Sequence, residues 1–155
     1  MDVNIKLEII GAINGEKNKK YYEALRKMTK ERNLNKWISF HVDTDNDRDN
    51  INQILKKSDA RLHTCLIEVR SIAIFESMVS GSPVIAFRAG GIPETIVNNV
   101  NGMLVSPFTS QALASSLFKY IMDKELRLKM TSLSSLSAIQ AYSQDDMYAK
   151  IMKLL

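Results

Sequence analysis

Residues 68–107 read EVRSIAIFESMVSGSPVIAFRAGGIPETIVNNVNGMLVSP, and this stretch decides the fold. Its first part, SIAIFESMVSG (71–81), has the pattern of an apolar helix that ends at a glycine. PVIAF (83–87) is a short apolar run of the kind that forms a buried strand. GGIPETIV then predicts a turn with a short helix, and NGMLVS (101–106) predicts another strand. Helices and strands therefore alternate.

The same alternation continues on both sides of this stretch. Further strands are predicted at IKLEII (5–10), WISFHV (37–42) and RLHTCLIE (61–68). Helices are predicted at 18–33 and 51–60, and helical patterns fill 110–155. This order predicts an α/β fold, a Rossmann-like doubly wound parallel sheet with helices on both faces, in one domain over residues 1–155.

Ligands of such a sheet bind outside the carboxyl ends of the strands. The loops predicted at those ends are 11–15, 41–47, 68–71 and 89–94.

Composition narrows the class of protein. The chain has 155 residues, 45% hydrophobic and 25% charged, as in ordinary globular domains. It contains no apolar run of the ~18 residues that a membrane span needs, and no signal peptide, so we expect a cytoplasmic location. Cys65 is the single cysteine, and no Cys/His cluster has zinc spacing. The sequence therefore predicts neither a disulfide-stabilised fold nor a fold built around a metal ion.

Positive charge is concentrated between Glu16 and Lys36, where eight Lys or Arg accompany three Glu. The simplest interpretation is the solvated face of an amphipathic helix. The alternative is peripheral contact with the anionic inner face of a membrane. Nucleic acid is disfavoured because few stacking residues, Tyr21 and Tyr22, interleave with the charges.

Two glutamates in the deciding stretch could carry chemistry. Glu68 and Glu76 are eight steps apart, at most ~12 Å if helical throughout, which is the length scale of a nucleotide sugar. Glu76 interrupts an apolar helix, so its carboxylate needs a polar partner or a ligand pocket. Pairing with an Arg or exposure at the helix edge is the structural alternative. Helix-start amides of residues 69–72 could meet a diphosphate between the two carboxylates.

The Glu-x7-Glu pair, SGSPVIA, GGIPE and NNVNGMLV, in this order and spacing, resemble the signature of the carboxyl-terminal domain of group 1 (family four) glycosyltransferases. The resemblance is specific over residues 68–107 and looser over nearly the whole chain. It implies the glycosyltransferase-B fold and retaining transfer of a hexose from a nucleoside diphosphate to a hydroxyl acceptor, a lipid or a polysaccharide. It implies no metal ion or other cofactor.

Carried over to this sequence, the resemblance implies that Glu68 positions the transferred sugar and Glu76 binds the ribose hydroxyls. Val42, in the loop expected at residues 41–43, would lie near the base. Gly11 would let the backbone approach the nucleotide, although a tight turn would also explain it.

The remaining donor-binding candidates surround the first glutamate. Relatives commonly follow that glutamate with Gly-Phe-Gly, whereas this chain has Val69-Arg70-Ser71, so Arg70, Ser71 and Ile72 would form the phosphate-binding turn without glycine. Gly90 and Gly91 would pass close to the donor, or simply allow a sharp turn.

The resemblance also implies parts that this sequence lacks. The family's first strand of the domain, its basic pair for the diphosphate and its N-terminal acceptor domain are not represented. We therefore expect a fragment of a two-domain enzyme that is inactive alone.

Two other classes of function stay open at this point. One is a non-catalytic Rossmann-like or receiver-type module, and the other is a nucleotide-sugar epimerase. DTDNDRDN (43–50) resembles a calcium loop but has Arg48 where glycine is required, so it fails as one. His41 and His63 are interpreted as packing or loop residues rather than metal ligands.

Overall fold

The computed structural model describes residues 4–42, 48–69 and 71–142. The chain divides into two compact units, Met1–Ile54 and Leu55–Leu155.

The first unit is a β-α-β arrangement. Strand β1 (Leu7–Gly11) is followed by helix α1 (Gly15–Glu31) and strand β2 (Ile38–Val42). The two strands are parallel and in register from Leu7 opposite Ile38 to Gly11 opposite Val42. Helix α2 (Arg48–Lys57) then spans the boundary between the units. Gly11 and Val42 thus end neighbouring strands at the same sheet edge.

The second unit contains a three-stranded parallel sheet in the order β3-β4-β5. Its elements follow one another as β3 (Arg61–His63), α3 (Ile72–Val79), β4 (Val84–Phe87), α4 (Ile92–Thr95), β5 (Gly102–Val105), α5 (Ser110–Met122) and α6 (Lys124–Tyr142). The central strand β4 is buried over its whole length, as a strand covered on both faces should be.

Hydrophobic cores form on both faces of this sheet because successive side chains of β4 point in opposite directions. On one face, Val84 and Ala86 pack with Ile74 and Met78 of α3. On the other face, Ile85 and Phe87 belong to a core that Leu62 of β3 and residues of β5, α5 and α6 complete. The predicted α/β class, with parallel strands and helices on both faces, is confirmed.

Several predicted boundaries were wrong. The third strand ends at His63 rather than Glu68. It pairs with β4 only from Arg61 to His63, and the Glu68 carbonyl instead accepts a hydrogen bond from Gly91 N in the turn after β4. Helix α2 begins at Arg48 and ends at Lys57, three residues before the predicted end. The helical stretch from Ser110 breaks at Asp123, which caps α6 by accepting a hydrogen bond from Leu126 N.

Within the described residues, every helix is too short or too polar to cross a bilayer.

Candidate functional site

Glu68 lies in the loop that follows β3, and a neighbouring imidazole fixes its carboxylate. His63 Nε2 and Glu68 Oε2 are 3.2 Å apart, a hydrogen-bonding distance, and the two side chains are 8% and 20% exposed. Burial lowers the pKa of His63, the hydrogen bond to Glu68 opposes this change, and the charge of Arg61 adds to it. A neutral imidazole therefore donates its Nε2 hydrogen to a carboxylate that remains accessible to a ligand.

Glu76 lies in the second turn of α3 and is partly buried. Burial lowers the pKa of Arg61, and the negative charges of Glu76 and of an ionised Cys65 counteract that change. Arg61 on β3 thus attracts Glu76 electrostatically. This attraction favours the structural alternative that the sequence left open beside ribose binding, an arginine that offsets the Glu76 charge.

The two β3 side chains that interact with the glutamates lie on one face of the strand. Arg61 and His63 are two residues apart on the strand, so their side chains point to the same face. Leu62 between them packs into the core of the opposite face. Glu76 faces Arg61 and Glu68 contacts His63, which brings the predicted pair to the face that α3 covers.

The first turn of α3 lies between the two glutamates in sequence. Ser71 is its N-cap, with Oγ accepting a hydrogen bond from Ile74 N at 3.4 Å. Helix geometry leaves the earlier amides of the first turn, such as that of Ile72, without intrahelical acceptors. Ile72 is 71% exposed, so this turn is accessible. Arg70, the remaining candidate of this turn, lies outside the described residues.

Gly90 and Gly91 pack directly against the backbone beside Glu68. Gly91 N donates a 2.8 Å hydrogen bond to Glu68 O. A Cβ on Gly90 would overlap the Glu68 carbonyl oxygen, and a Cβ on Gly91 would overlap that of Val69. Gly90 also has a φ of 49°. The glycines therefore permit a close approach between two loops, a role beyond the two that the sequence suggested.

The first unit carries the candidates for the nucleotide base. Gly11 ends β1, and a Cβ there would have no neighbour within 4 Å, so its backbone is open on that side. Val42 is the last residue of β2, in agreement with the strand predicted at residues 37–42, so it lies at a strand end rather than in a loop. His41 Nε2 is 2.6 Å from Glu8 Oε2 across the β1-β2 pair, which gives this histidine a local structural role.

The basic face of α1 borders an open cleft of about 660 Å³ in the first unit. Its lining residues are Tyr22, Arg26, Lys27, Lys30, Asn35, Ile38 and Phe40. Tyr22 and Phe40 contact edge to face within it, with ring centroids 5.6 Å apart. The cleft contains none of the predicted site residues. Contact of this face with a membrane stays a prediction.

Sequence interpretation missed Arg61 and assigned His63 only to packing. Side chains alternate along a strand, so the RLH segment places Arg61 and His63 on the same face. The predicted strand continued to Glu68, however, and so gave no sign that the chain turns back after His63. The structure also brings Cys65 near this pair, because side-chain ligand atoms of His63, Cys65 and Glu68 all lie within 4.8 Å of one another.

Comparison with known proteins identifies the family of the chain. The family model described as glycosyl transferases group 1 matches residues 1–134. A GDP-Man:Man(3)GlcNAc(2)-PP-Dol alpha-1,2-mannosyltransferase of Dictyostelium discoideum is 27% identical over 129 residues, 83% of this chain and 25% of the relative. An N-acetyl-alpha-D-glucosaminyl L-malate synthase of Bacillus anthracis is 31% identical over 83 residues, 54% of this chain and 22% of the relative. The chain thus spans about a quarter of these relatives.

Solved structures extend the likeness to nearly the whole chain. Anabaena Alr3699/HepE in complex with UDP superposes with a TM-score of 0.81 and 25% identity, covering 97% of this chain and 41% of that one. The same protein with UDP-glucose gives 0.79 and 26%, with the same coverage of both chains. Sucrose-phosphate synthase from Thermosynechococcus elongatus, at 18% identity and a TM-score of 0.80, covering 96% of this chain and 37% of that one, shares the fold.

These likenesses confirm the resemblance to group 1 glycosyltransferases that residues 68–107 indicated. They also confirm the predicted fold, that of the carboxyl-terminal domain of a glycosyltransferase-B enzyme. The chain belongs to the group 1 glycosyl transferases.

Proposed function

We propose that this domain binds a nucleoside-diphosphate sugar for retaining transfer of a hexose to a hydroxyl acceptor on a lipid or a polysaccharide. The observation that supports the proposal is the contact of the Glu68 carboxylate with His63 of β3, on the sheet face that α3 covers with Glu76 in its second turn. Two carboxylates held beside a helix start provide acceptors for two sets of hydroxyls with amide donors between them.

Each glutamate has a separate role in this proposal. Glu68, with its carboxylate oriented by His63, accepts hydrogen bonds from hydroxyls of the transferred sugar and fixes the position of the anomeric carbon. Glu76 accepts the ribose hydroxyls. The first-turn amides of α3, near Ser71 and Ile72, face the diphosphate, where the positive end of the helix dipole favours negative charge.

The chemistry then depends on the leaving group. As the bond from the anomeric carbon to the diphosphate breaks, negative charge grows on the phosphate oxygens. Preorganised amides stabilise such charge without a reorganisation cost. The proposal therefore assigns no metal ion to the transfer step.

Two relatives, one of them with solved structures, support the donor class. Anabaena Alr3699/HepE has been solved with UDP and with UDP-glucose. The Dictyostelium relative is named for a GDP-mannose donor. We therefore propose a nucleoside-diphosphate hexose as substrate, an N-terminal acceptor domain as partner, and a cytoplasmic site of action at the inner face of the membrane.

Calorimetric titration of the purified chain with UDP and UDP-glucose, and with GDP and GDP-mannose, tests the proposal. Glu76→Gln should weaken nucleotide and nucleotide sugar alike by roughly tenfold to a hundredfold, the effect of losing a charged hydrogen bond. Glu68→Gln should weaken only the nucleotide sugar, because its partner is the hexose. The difference between these two profiles is the signature of the assigned roles.

Glu125→Gln is the matched control, since Glu125 is an exposed carboxylate in the first turn of another helix of the same unit. It should leave all affinities unchanged. Failure of all four ligands to bind the wild-type chain, or equal effects of the three substitutions, would contradict the proposal.

A further inference from the structure

His63, Cys65 and Glu68 bring three different metal-binding groups to the end of β3. The imidazole nitrogen, the thiol sulfur and a carboxylate oxygen all lie within 4.8 Å of one another. His63 Nε2 and Glu68 Oε2 are separated by 3.2 Å. His63 is 7% exposed, whereas Cys65 is exposed. The cluster therefore has one buried ligand, His63, and one exposed ligand, Cys65. An ion can reach the cluster from solvent on the side of Cys65.

The distances fit a small tetrahedral ion. Bonds from zinc to nitrogen or oxygen are about 2.0–2.2 Å and to sulfur about 2.3 Å, so neighbouring ligand atoms stand roughly 3.3–3.8 Å apart. The separation of His63 Nε2 from Glu68 Oε2 already has nearly this value. The Cys65 thiol has to approach by at most about 1 Å, which rotation of an exposed side chain allows.

The ligand types select the class of ion. Calcium and magnesium require oxygen ligands, whereas a mixture of nitrogen, sulfur and oxygen suits zinc and the chemically similar cobalt. Three protein ligands leave a fourth position for water, as in open zinc sites. Binding replaces the His63–Glu68 hydrogen bond with two coordinate bonds. The imidazole hydrogen moves from Nε2 to Nδ1 by exchange with solvent, and the thiol proton is released to solvent, so that neutral imidazole, thiolate and carboxylate bind the ion. The positive charge of Arg61 beside His63 opposes an incoming cation, so we expect moderate affinity.

We propose that His63, Cys65 and Glu68 bind one zinc-class ion, and that this ion inhibits donor binding by withdrawing Glu68 from the sugar. The inhibitory consequence rests on the proposed function, because only there is Glu68 a sugar ligand. The metal site itself depends only on the geometry of the three side chains.

Absorption spectroscopy with Co²⁺ tests the site on the purified, chelator-treated chain. We expect one Co²⁺ per chain, intense visible bands of tetrahedral cobalt, and a thiolate-to-cobalt charge-transfer band in the near ultraviolet. Because Cys65 is the single cysteine, that band reports this site alone. Zn²⁺ should displace Co²⁺ and abolish the bands. Half an ion per chain, indicating two molecules sharing the metal, or absence of the charge-transfer band would overturn the proposal.

Substitutions identify the ligands. Cys65→Ser should remove the charge-transfer band, and Cys65→Ser, Glu68→Gln and His63→Gln should each lower Co²⁺ affinity at least tenfold. Cys65 is exposed, so its substitution should leave the fold intact even if His63→Gln does not. His41→Gln is the matched control, because His41 also contacts a glutamate, Glu8, but belongs to none of the three-ligand groups in the described residues. Unchanged affinity in Cys65→Ser or Glu68→Gln would overturn the assignment.

Donor titration separates the two parts of the proposal. Saturating Zn²⁺ should lower the affinity for UDP-glucose at least tenfold in the wild-type chain and less than threefold in Cys65→Ser. If the cobalt site forms but Zn²⁺ leaves UDP-glucose affinity unchanged, the inhibitory role is refuted and the metal site stands. If the chain binds no donor even in metal-free buffer, the proposed function fails and the inhibitory role with it.

Discussion

Replacing Gly91 with alanine should loosen the Glu68 loop. The added Cβ would overlap the Val69 carbonyl oxygen and lie 3.1 Å from its carbon, whereas ordinary contacts begin at 3.4 Å. The two loops would have to separate, which strains the 2.8 Å hydrogen bond from Gly91 N to Glu68 O. Overpacking of this kind costs about 1–3 kcal/mol, and loss of the hydrogen bond adds about 0.5–1.5 kcal/mol. We therefore expect Gly91→Ala to lower the free energy of unfolding by roughly 2–4 kcal/mol.

Three other glycines form a matched series for this prediction. Gly90→Ala combines a similar overlap with a φ of 49°, and left-handed backbone costs a non-glycine residue about 1–2 kcal/mol, so it should be the most destabilising. Gly81 has a φ of 83° but a Cβ there would have no neighbour within 4 Å, so Gly81→Ala measures the cost of the left-handed backbone alone. Gly11→Ala has neither feature and should change stability by less than about 0.5 kcal/mol.

Thermal unfolding followed by circular dichroism measures the series. About 1 kcal/mol shifts the Tm of a domain of this size by roughly 2–4 °C, so the expected loss for Gly91→Ala exceeds ordinary error several times. Calorimetry with UDP-glucose should also show weaker binding, because Glu68 no longer has a fixed position. If Gly91→Ala is no more destabilising than Gly81→Ala, the close approach of the two loops does not determine the stability of this region, and the reasoning is refuted.

In a protein that combines this domain with an acceptor domain, Glu76→Ala should raise KM roughly tenfold to a hundredfold at nearly constant kcat, since ribose contacts are equal in ground and transition states. Glu68→Ala should instead lower kcat by up to ~100-fold, because the anomeric carbon is misplaced. If steady-state kinetics show kcat/KM of both variants within about threefold of wild type, the two assigned roles are contradicted. The 155-residue chain alone should transfer no sugar, because its acceptor site is expected in another domain; release of labelled product above the rate of donor hydrolysis in buffer would oppose this. Tyr120→Phe should destabilise the chain by about 1–3 kcal/mol in urea melts, because the Asp59 carbonyl loses a 2.6 Å hydrogen bond, whereas exposed Tyr21→Phe should not. Since burial raises the pKa of Tyr120, the unfolded chain releases that proton first, and stability should fall above about pH 10 in wild type but less in Tyr120→Phe.

Local patterns in the sequence were sufficient for the fold class. The wholly apolar PVIAF run predicted a buried strand, and β4 is buried throughout. The order of motifs from Glu68 to Pro107 was enough to recognise the family, because those residues keep a fixed spacing that many unrelated α/β chains do not share. The apolar strand and the family motifs each lie within one continuous stretch of sequence. They could therefore be identified without knowing which parts of the chain contact one another.

The tertiary structure decided what holds the two glutamates. Arg61 and His63 acquire their roles only because β3 ends at His63 and the following loop turns back, so that one side chain faces Glu76 and the other contacts Glu68. Gly90 and Gly91 pack against that loop from more than twenty residues away, and no local pattern specifies which carbonyl they approach. The end of β3 depends on long-range contacts, namely pairing with β4 over Arg61–His63 and the hydrogen bond from Gly91 N to the Glu68 carbonyl, and not on the propensity of RLHTCLIE alone.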